Sequence, residues 1–273
     1  MSISPAPQGD NTPLVLRQDE GAVAILTLNR PAARNSLSRA MLAALRARLA
    51  EVAAEDGVRA VVLTANGLAF SAGHDLKELT AHRADADGGE AFFAECMAEC
   101  GAVMQAVVGL PQPVVAAVQG IATAAGCQLV ASCDLAVASE AAKFCTPGVD
   151  IGLFCSTPAV ALSRAVPRKP ALEMLLLGEM VPAEEAHRIG LVNRVVPPDA
   201  VLETALDLAR RIAARSAVAV RMGKRGFNRQ LGLDLPQAYA AAGAVMVENL
   251  LAEDAAEGIG AFLGKRQPEW RHR

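Results

Sequence analysis

The chain has 273 residues, of which 52% are hydrophobic and 20% charged, so it can bury a large core in one domain with an appendage or in two small domains. Aromatic residues make up only 3%, which means that packing depends on small and branched aliphatic side chains, as in α/β proteins. The formal net charge of -3 provides no basic field for nucleic acid or an anionic membrane and favours a small-molecule partner.

The N-terminal residues 1–13 are polar and contain proline, with neither a charged start before an apolar stretch nor an Arg-rich amphipathic pattern. We therefore predict a flexible N-terminus without a targeting signal and a cytoplasmic protein. The longest apolar runs fall short of the roughly 20 residues that span a bilayer, so no membrane insertion is expected.

Buried strands and helices alternate through the first part of the chain. Val23–Leu28 and 60–64 are apolar runs typical of buried parallel strands, and 38–54 between them has apolar residues at helical spacing. Further strands are predicted at 113–118 and 134–138, on either side of a short helix at 124–132. This alternation predicts an α/β fold with a parallel sheet.

The remaining segments are helical. An acidic, glycine-containing stretch at 85–90 leads into a predicted helix over 91–109, an insertion of the kind that shapes a pocket or lid. After two prolines, helical periodicity covers 200–216, 235–251 and Glu253–Leu263. We predict a core over 14–198 and a C-terminal helical region over 199–273 that packs on the core or on a neighbouring subunit.

Two glycine-containing turns are candidates for chemistry. AFSAGHDLKEL at 69–79 and QGIATAAGCQL at 119–129 each lead from a strand into a helix, whose first N–H groups have no intrahelical partner. The N–H groups of His74 and of the segment 124–126 would point outward there. Two convergent N–H groups are what stabilisation of a developing thioester enolate requires, although a glycine after a strand is more often only a turn.

Six cysteines lie in mostly apolar surroundings and are expected to be reduced, buried thiols. Cys96 and Cys100 are four residues apart on one predicted helix face, but two ligands alone make a poor metal site. No metal is therefore predicted.

Several segments, in order, resemble signatures of the crotonase superfamily, which is the enoyl-CoA hydratase/isomerase family. They include LNRP at 28–31, NSL at 35–37, FSAGHDLK at 70–77 and PGVDIGLFCSTP at 147–158, and the resemblance covers about residues 14–270. SAGHDLKEL and PGVDIGLFCSTP are most similar to the group of the third enoyl-CoA hydratase domain-containing paralogue. The resemblance implies a crotonase-type ββα spiral core with a C-terminal helical oligomerisation region.

The family's functional positions can be carried over to this sequence. An oxyanion hole for an acyl-CoA thioester falls on the backbone N–H groups of His74 and Ala125. Coenzyme A is then part of the substrate, no separate cofactor is implied, and the chain is expected to form trimers or dimers of trimers. The positions implied to contact coenzyme A are Ala32, Ala33, Arg34, Ala72, Asp75, Leu76, Lys77, Phe262 and Lys265.

The chain departs from the family at the two glutamates that hydratases use, because these positions are Gln128 and Gly148. Neither residue can accept a proton at neutral pH, so ordinary hydration should be slow or missing. Asp150 would share the face of Gly148 on an extended segment, or it is a surface turn acid. The His74 imidazole either packs or contacts coenzyme A, or it transfers a proton.

Two functions from different classes follow from this pattern. The first is an acyl-CoA enzyme in fatty-acid metabolism that stabilises a thioester enolate with non-standard proton transfer. The second is a non-catalytic acyl-CoA-binding or regulatory module on the same fold. The sequence has no G-x-G-x-x-G, P-loop or G-x-S-x-G motif, which excludes the usual dinucleotide, P-loop and serine-hydrolase sites.

Overall fold

The computed structural model describes residues 12–273, so most of the predicted N-terminal segment 1–13 lies outside the described residues. Within this range the strands are β1 (Val15–Glu20), β2 (Val23–Leu28), β3 (Ala60–Ala65), β4 (Ala69–Ser71), β5 (Val114–Val118), β6 (Ile121–Thr123), β7 (Leu135–Ser139), β8 (Lys143–Cys145), β9 (Val181–Pro182) and β10 (Arg194–Val196). The α-helices are α1 (Arg39–Ala53), α2 (Leu76–Ala81), α3 (Glu90–Gly109), α4 (Ala125–Ser132), α5 (Ser156–Ala165), α6 (Arg168–Leu177), α7 (Ala183–Arg188), α8 (Val201–Ala213), α9 (Ala217–Gln230), α10 (Leu235–Leu250) and α11 (Glu253–Leu263). Short 3-10 helices lie at Pro31–Ala33, His82–Ala84, Pro147–Ile151 and Pro198–Ala200.

The main sheet has six strands in the order β1-β2-β3-β5-β7-β10. All neighbouring pairs are parallel except β1 with β2 at the edge. Alternate side chains of the sheet enter two different buried clusters, one on the face that α1 and α3 cover and one on the face that α8 covers. Burial on both faces explains why β2, β3 and β5 are continuous apolar runs rather than alternating ones.

A second, smaller sheet has the order β4-β6-β8-β9 and lies at the carboxyl ends of the main strands. β4 follows β3 after residues 66–68, and β6 follows β5 after residues 119–120. Because β3 and β5 are parallel neighbours, β4 and β6 emerge side by side and pair in parallel as well, with Ala69 opposite Ile121. The two candidate turns are therefore carried to the same edge of the molecule.

Most predicted elements are confirmed. The predicted strand Val23–Leu28 and helix Glu253–Leu263 have the observed bounds, and Ser38 caps α1 by accepting a hydrogen bond from the Met41 N–H. β1 and α9 were not predicted, because half of the residues in β1 are charged and the interior of α9 contains Gly223 and Gly226. Glycine lowers helix propensity, but Gly226 packs directly against Val245 of α10, so tertiary packing outweighs the local cost.

The four last helices have different environments. α8 packs on the main sheet through Ala205, Leu206 and Ala209, so it forms a layer of the sheet's own core. α9, α10 and α11 pack on one another, and α10 buries none of its residues. The boundary between 198 and 199 stays a prediction, and the observed change from core layer to helical region comes after α8.

Within residues 12–273, α3 is the one helix that is long and apolar enough by length and composition to cross a membrane. Its inward side chains, which include Cys100, Val103 and Val107, are buried in the main core cluster. α3 packs against α1 and α4, so it acts as a helix of the domain.

The C-terminal helices expose an apolar surface, which we call the α10–α11 surface, formed by Leu235, Tyr239, Met246, Val247, Leu250, Leu251, Ile259, Phe262 and Leu263. Surfaces of this kind usually mark a protein interface. We expect the chain to sediment as a trimer or a dimer of trimers, and the double variant Val247→Glu, Leu250→Glu to sediment as a smaller species. The control Leu202→Glu lies on α8 and should leave the assembly intact; a wild-type monomer at micromolar concentration would contradict the prediction.

Candidate active site

The two glycine-containing turns touch each other. A Cβ atom placed on Gly73, whose φ is 80°, would lie 2.9 Å from the Ala124 Cβ, 3.0 Å from the Thr123 carbonyl oxygen and 3.2 Å from the Ala125 nitrogen. A side chain at this position would therefore separate the turns. Glycine at 73 allows the two backbones to approach closely, which is what the candidate site needs.

A second close approach lies one residue beyond Ala125. A Cβ atom on Gly126 would lie 2.3 Å from the Ser71 carbonyl oxygen and 2.8 Å from the Ser71 Cβ. The beginning of α4 is thus packed directly against the end of β4. These contacts fix the relative position of the two turns without any side chain between them.

The N–H groups of His74 and Ala125 belong to backbone that is already part of secondary structure, a β-bridge at His74 and a helix at Ala125. Leu37 pairs with His74 in a parallel bridge, in which the Leu37 N–H donates to the Gly73 carbonyl at 2.7 Å. In such a bridge the residues flanking His74 bond to Leu37, so the His74 N–H points away from it. Ala125 is the first residue of α4, where an N–H has no intrahelical acceptor.

The segment predicted to contact coenzyme A is tied to the first turn. The Ala72 N–H donates to the Arg34 carbonyl at 2.9 Å, and the Ser71 hydroxyl donates to the Asn35 carbonyl at 2.9 Å. The fully buried Asn35 side chain in turn donates to the carbonyls of Asn66 and Ala69. The structure therefore brings Ala32, Ala33 and Arg34 together with Ala72, Asp75, Leu76 and Lys77.

Asp75 holds the start of α2. Its carboxylate accepts hydrogen bonds from the N–H groups of Lys77 and Glu78 and forms an ion pair with Arg30 at 2.8 Å. Burial raises the pKa of Asp75, but the Arg30 guanidinium and the helix N–H groups outweigh it and hold that pKa below its usual value. Arg30 and Asn35 were not predicted as site residues, and only their place in the LNRP and NSL motifs signalled them.

Gln128 and Gly148, the positions predicted to correspond to the glutamates of hydratases, have different surroundings. Gln128 is buried, and its Oε1 atom accepts a weak hydrogen bond from the Cys100 thiol at 4.0 Å. A Cβ atom on Gly148 would lie 2.9 Å from the Cys155 sulfur and 3.0 Å from the Leu153 carbonyl oxygen. The space where a side chain at Gly148 would begin is therefore already filled.

Asp150 does not occupy the place that an extended segment would give it. Residues Pro147–Ile151 form a 3-10 helix, and Asp150 is exposed, with its Oδ1 atom beside Gly178. The assumption that Asp150 shares the face of Gly148 on an extended segment is therefore wrong. The proline at the start of this segment favours a helical turn over continued extension.

The His74 imidazole and several thiols lie beside the turns. The His74 Nδ1 atom is 3.8 Å from the Cys96 sulfur, and its Nε2 atom is buried without a hydrogen-bond partner among residues 12–273. Burial lowers the pKa of His74, so the imidazole is neutral at pH 7.

The thiols are protonated, because burial raises the pKa of Cys96 to about 11 and that of Cys100 to about 12. All six cysteines are free, and Cys133 is the least buried of them. Across the described residues no group of three or more His, Cys, Asp or Glu side chains could hold a metal ion.

A cavity of about 880 Å³ lies between α3, α4, α5 and α9, and Gln128 is among the residues that line it, whereas His74 and Ala125 are not. Apolar side chains such as Met104, Val160 and Phe227 line much of it. The Lys224 ammonium group connects α9 to the core beside this cavity. It is 2.7 Å from the Asp134 carboxylate and donates to two backbone carbonyls. Such a volume holds a small-molecule ligand.

The two C-terminal positions are not gathered with the others. Phe262 and Lys265 lie in and just beyond α11, and both are exposed. α11 packs on α9 and α10, which carry none of the other predicted contact positions. Their place in a coenzyme A site stays a prediction.

Comparison with known proteins identifies the family. Residues 18–273 match the enoyl-CoA hydratase/isomerase family. The chain belongs to this family. It is 49% identical over 256 residues to the rat mitochondrial enoyl-CoA hydratase domain-containing protein 3, covering 94% of this chain and 83% of the rat protein.

Solved structures of the family confirm the crotonase-type fold. A Mycobacterium smegmatis enoyl-CoA hydratase structure has a TM-score of 0.90 and 52% identity, covering 95% of this chain and 99% of that one. The human enoyl-CoA hydratase domain-containing protein 3 structure has a TM-score of 0.89 and 46% identity, covering 94% and 100%. The predicted similarity to this paralogue group is confirmed as well.

The prediction of a cytoplasmic protein is contradicted. The rat, mouse and human relatives in this family are all named as mitochondrial proteins. The prediction depended on the composition of residues 1–13, and the composition of a short segment does not determine the compartment of a protein.

Ala124 provides a test of the geometry between the turns. Its φ of 48° and ψ of -117° are sparsely populated for a residue with a Cβ atom and ordinary for glycine. We expect Ala124→Gly to raise the free energy of unfolding by about 1 kcal/mol, because it relieves this strain. Denaturation at fixed protein concentration measures the change. Ala122→Gly in β6 is the control and should lower stability; equal losses for both variants would contradict the assigned backbone.

Gly148 provides a second test. We expect Gly148→Glu to lower the free energy of unfolding by about 2 to 3 kcal/mol, because its Cβ overlaps the Cys155 sulfur and a carboxylate is brought into a buried position. Cys155→Ala should recover part of this loss in a double-mutant cycle, since it removes the nearest atom. A Gly148→Glu protein as stable as the wild type would show that the site has room for the second glutamate.

Proposed function

We propose that the protein binds acyl-CoA thioesters and stabilises their enolates through the backbone N–H groups of His74 and Ala125. The close contact of Gly73 with residues 123–125 supports this function, because the turns that carry the two N–H groups come from distant parts of the chain and touch there. Fixed N–H groups stabilise a developing oxyanion without reorganising during the reaction. Family membership supports the choice of an acyl-CoA thioester as ligand.

The remaining site suits this ligand. The gathered segments 30–37 and 71–77 would hold coenzyme A, with Arg34 and Lys77 exposed and available to its phosphates. The mainly apolar cavity beyond Gln128 would hold the acyl chain. The thioester carbonyl would thus lie against the two N–H groups where the turns meet.

Addition of water would be slow at this site. Syn-hydration needs a group that takes a proton from water and a group that returns one, and neither Gln128 nor Gly148 does this at neutral pH. The missing carboxylates also favour a second function, a non-catalytic acyl-CoA-binding module. The two functions differ in whether the bound thioester is converted to its enolate and turned over.

The test uses acetoacetyl-CoA, a thioester whose enolate absorbs in the ultraviolet. We expect micromolar binding by calorimetry together with growth of the enolate band. Ala125→Pro removes one N–H at the first helical position, where proline is tolerated, and should weaken enolate formation about a hundredfold. Ala125→Gly keeps the N–H and is the matched control.

Circular dichroism verifies that the proline variant is folded, and replacement of the Ala125 amide by an ester provides the same loss of N–H without a change of shape. Binding without an enolate band, and without turnover of a panel of acyl-CoA esters, would favour the binding module. Absence of binding would contradict both functions.

A further inference from the structure

Residues 264–273, which we call the strap, return along α11 to the junction between α8 and α9. Within the strap, Trp270 donates its indole N–H to the Ala214 carbonyl at 3.1 Å. The Trp270 ring lies against Gly258 of α11, where a Cβ atom would be 3.0 Å from the ring. The strap therefore connects α11 to the beginning of α9, the helix that lines the cavity.

Two acidic side chains of α11 bind the strap. Asp254 is 2% exposed, and its carboxylate accepts hydrogen bonds from the backbone N–H groups of Arg271 at 2.7 Å and His272 at 3.0 Å. Glu257 forms a bidentate ion pair with Arg266 at 2.6 and 2.8 Å. A buried carboxylate is costly without its donors, so the strap is part of the folded structure of α11.

The His272 side chain makes the contact with α9. Its Nδ1 atom accepts a hydrogen bond from the Ala217 N–H at 3.2 Å. Ala217 is the first residue of α9, where an N–H has no intrahelical acceptor. An imidazole accepts a hydrogen bond only at a nitrogen that carries no proton, so this contact requires the neutral form of His272.

Protonation of His272 would place two donors against each other. The charged ring carries a hydrogen on Nδ1, which would face the Ala217 N–H instead of accepting from it. The N-terminal end of α9 also has the positive end of the helix dipole, which repels a cation. The charged ring is therefore incompatible with the observed contact.

Charged side chains surround the His272 ring on several elements. They are Arg59 before β3, Arg221 on α9, which pairs with Asp56 at 2.9 Å, and Asp254 on α11. Burial lowers the pKa of His272, Arg59 and Arg221 lower it further, and Asp254 opposes them without reversing the shift. Because this pKa is lower in the folded protein than in the unfolded chain, the contact stabilises above about pH 6.5 and is lost as the pH falls through the lowered value.

We propose that the strap is a pH-sensitive device, bound to α9 while His272 is neutral and released over residues 270–273 when His272 is protonated. Release would free the Ala217 N–H and end the connection between α11 and the beginning of α9. Because α9 lines the cavity, acidification would loosen this part of the cavity wall. It would also loosen the end of α11, where Phe262 lies.

Trp270 reports the state of the strap directly, because it is the single tryptophan of the sequence. Between about pH 8 and about pH 5 we expect its emission in the full-length protein to move to longer wavelength and its quenching by acrylamide to rise at least about twofold. The reason is that release moves the indole from Ala214 and Gly258 into water. The midpoint should lie below about pH 6.5, the ordinary pKa of histidine.

His272→Asn is the variant that tests the assignment. Asparagine keeps an acceptor oxygen near the position of Nδ1, tolerates the φ of 61° at this residue and does not titrate. We therefore expect the Trp270 emission of this variant to stay at its neutral-pH wavelength throughout the range. His82→Asn, the same substitution on the 3-10 helix before α3, is the matched control and should titrate as the wild type does.

Three results would overturn the inference. One is wild-type Trp270 emission that does not change with pH, and another is a transition that persists in His272→Asn, which would assign it to a different group. Glu257 is not that group, because the Arg266 guanidinium lowers its pKa to about 2. The third is a simultaneous loss of helical circular dichroism, which would show that the whole domain unfolds rather than the strap alone.

Discussion

The candidate site depends on the contact between two stretches of backbone, the turn at Gly73 and the turn at residues 123–125. Gly73 approaches Ala124 and Ala125 so closely that no side chain could lie between them. The pairing of β4 with β6, the strands that lead into the two turns, stabilises this contact. The buried Asn35 side chain holds the segment next to the first turn in place by donating to the carbonyls of Asn66 and Ala69. Both N–H groups are thereby positioned by main-chain geometry, which side-chain substitution disturbs little.

This arrangement separates two parts of the chemistry. Backbone donors persist whatever side chain is attached, which is why His74 and Ala125 can provide the same N–H groups as other residues at those positions. Acids and bases depend on the side chain itself, and neither Gln128 nor Gly148, the positions predicted to correspond to the glutamates of hydratases, has an acidic side chain. At Gly148 the surrounding packing also excludes a side chain, because Cys155 fills the space that it would need.

The C-terminal helices α9, α10 and α11 have two structural roles. α9 forms part of the cavity wall and is fixed to the core through Lys224, whose ammonium group is bonded to Asp134 and to the carbonyls of Val107 and Gln112. α10 and α11 continue from it and expose the apolar α10–α11 surface. α9, which lines the cavity, packs on α10 and α11, which form the exposed α10–α11 surface. A partner bound to that surface would therefore act on the cavity through α9.

The sequence by itself determined the strands β2, β3, β5 and β7, the capped helix α1 and the two turns, because apolar runs, N-cap residues and glycines act locally. It also determined that positions 128 and 148 have no acidic side chain, since residue identity needs no structure. Only the tertiary structure decided that Gly148 has no room for a side chain, that Asp150 turns to solvent on a 3-10 helix, that Asn35 and Arg30 support the site, and that α9 is a helix. Each of these depends on atoms from distant parts of the chain, and local pattern contains no information about which distant atoms will meet.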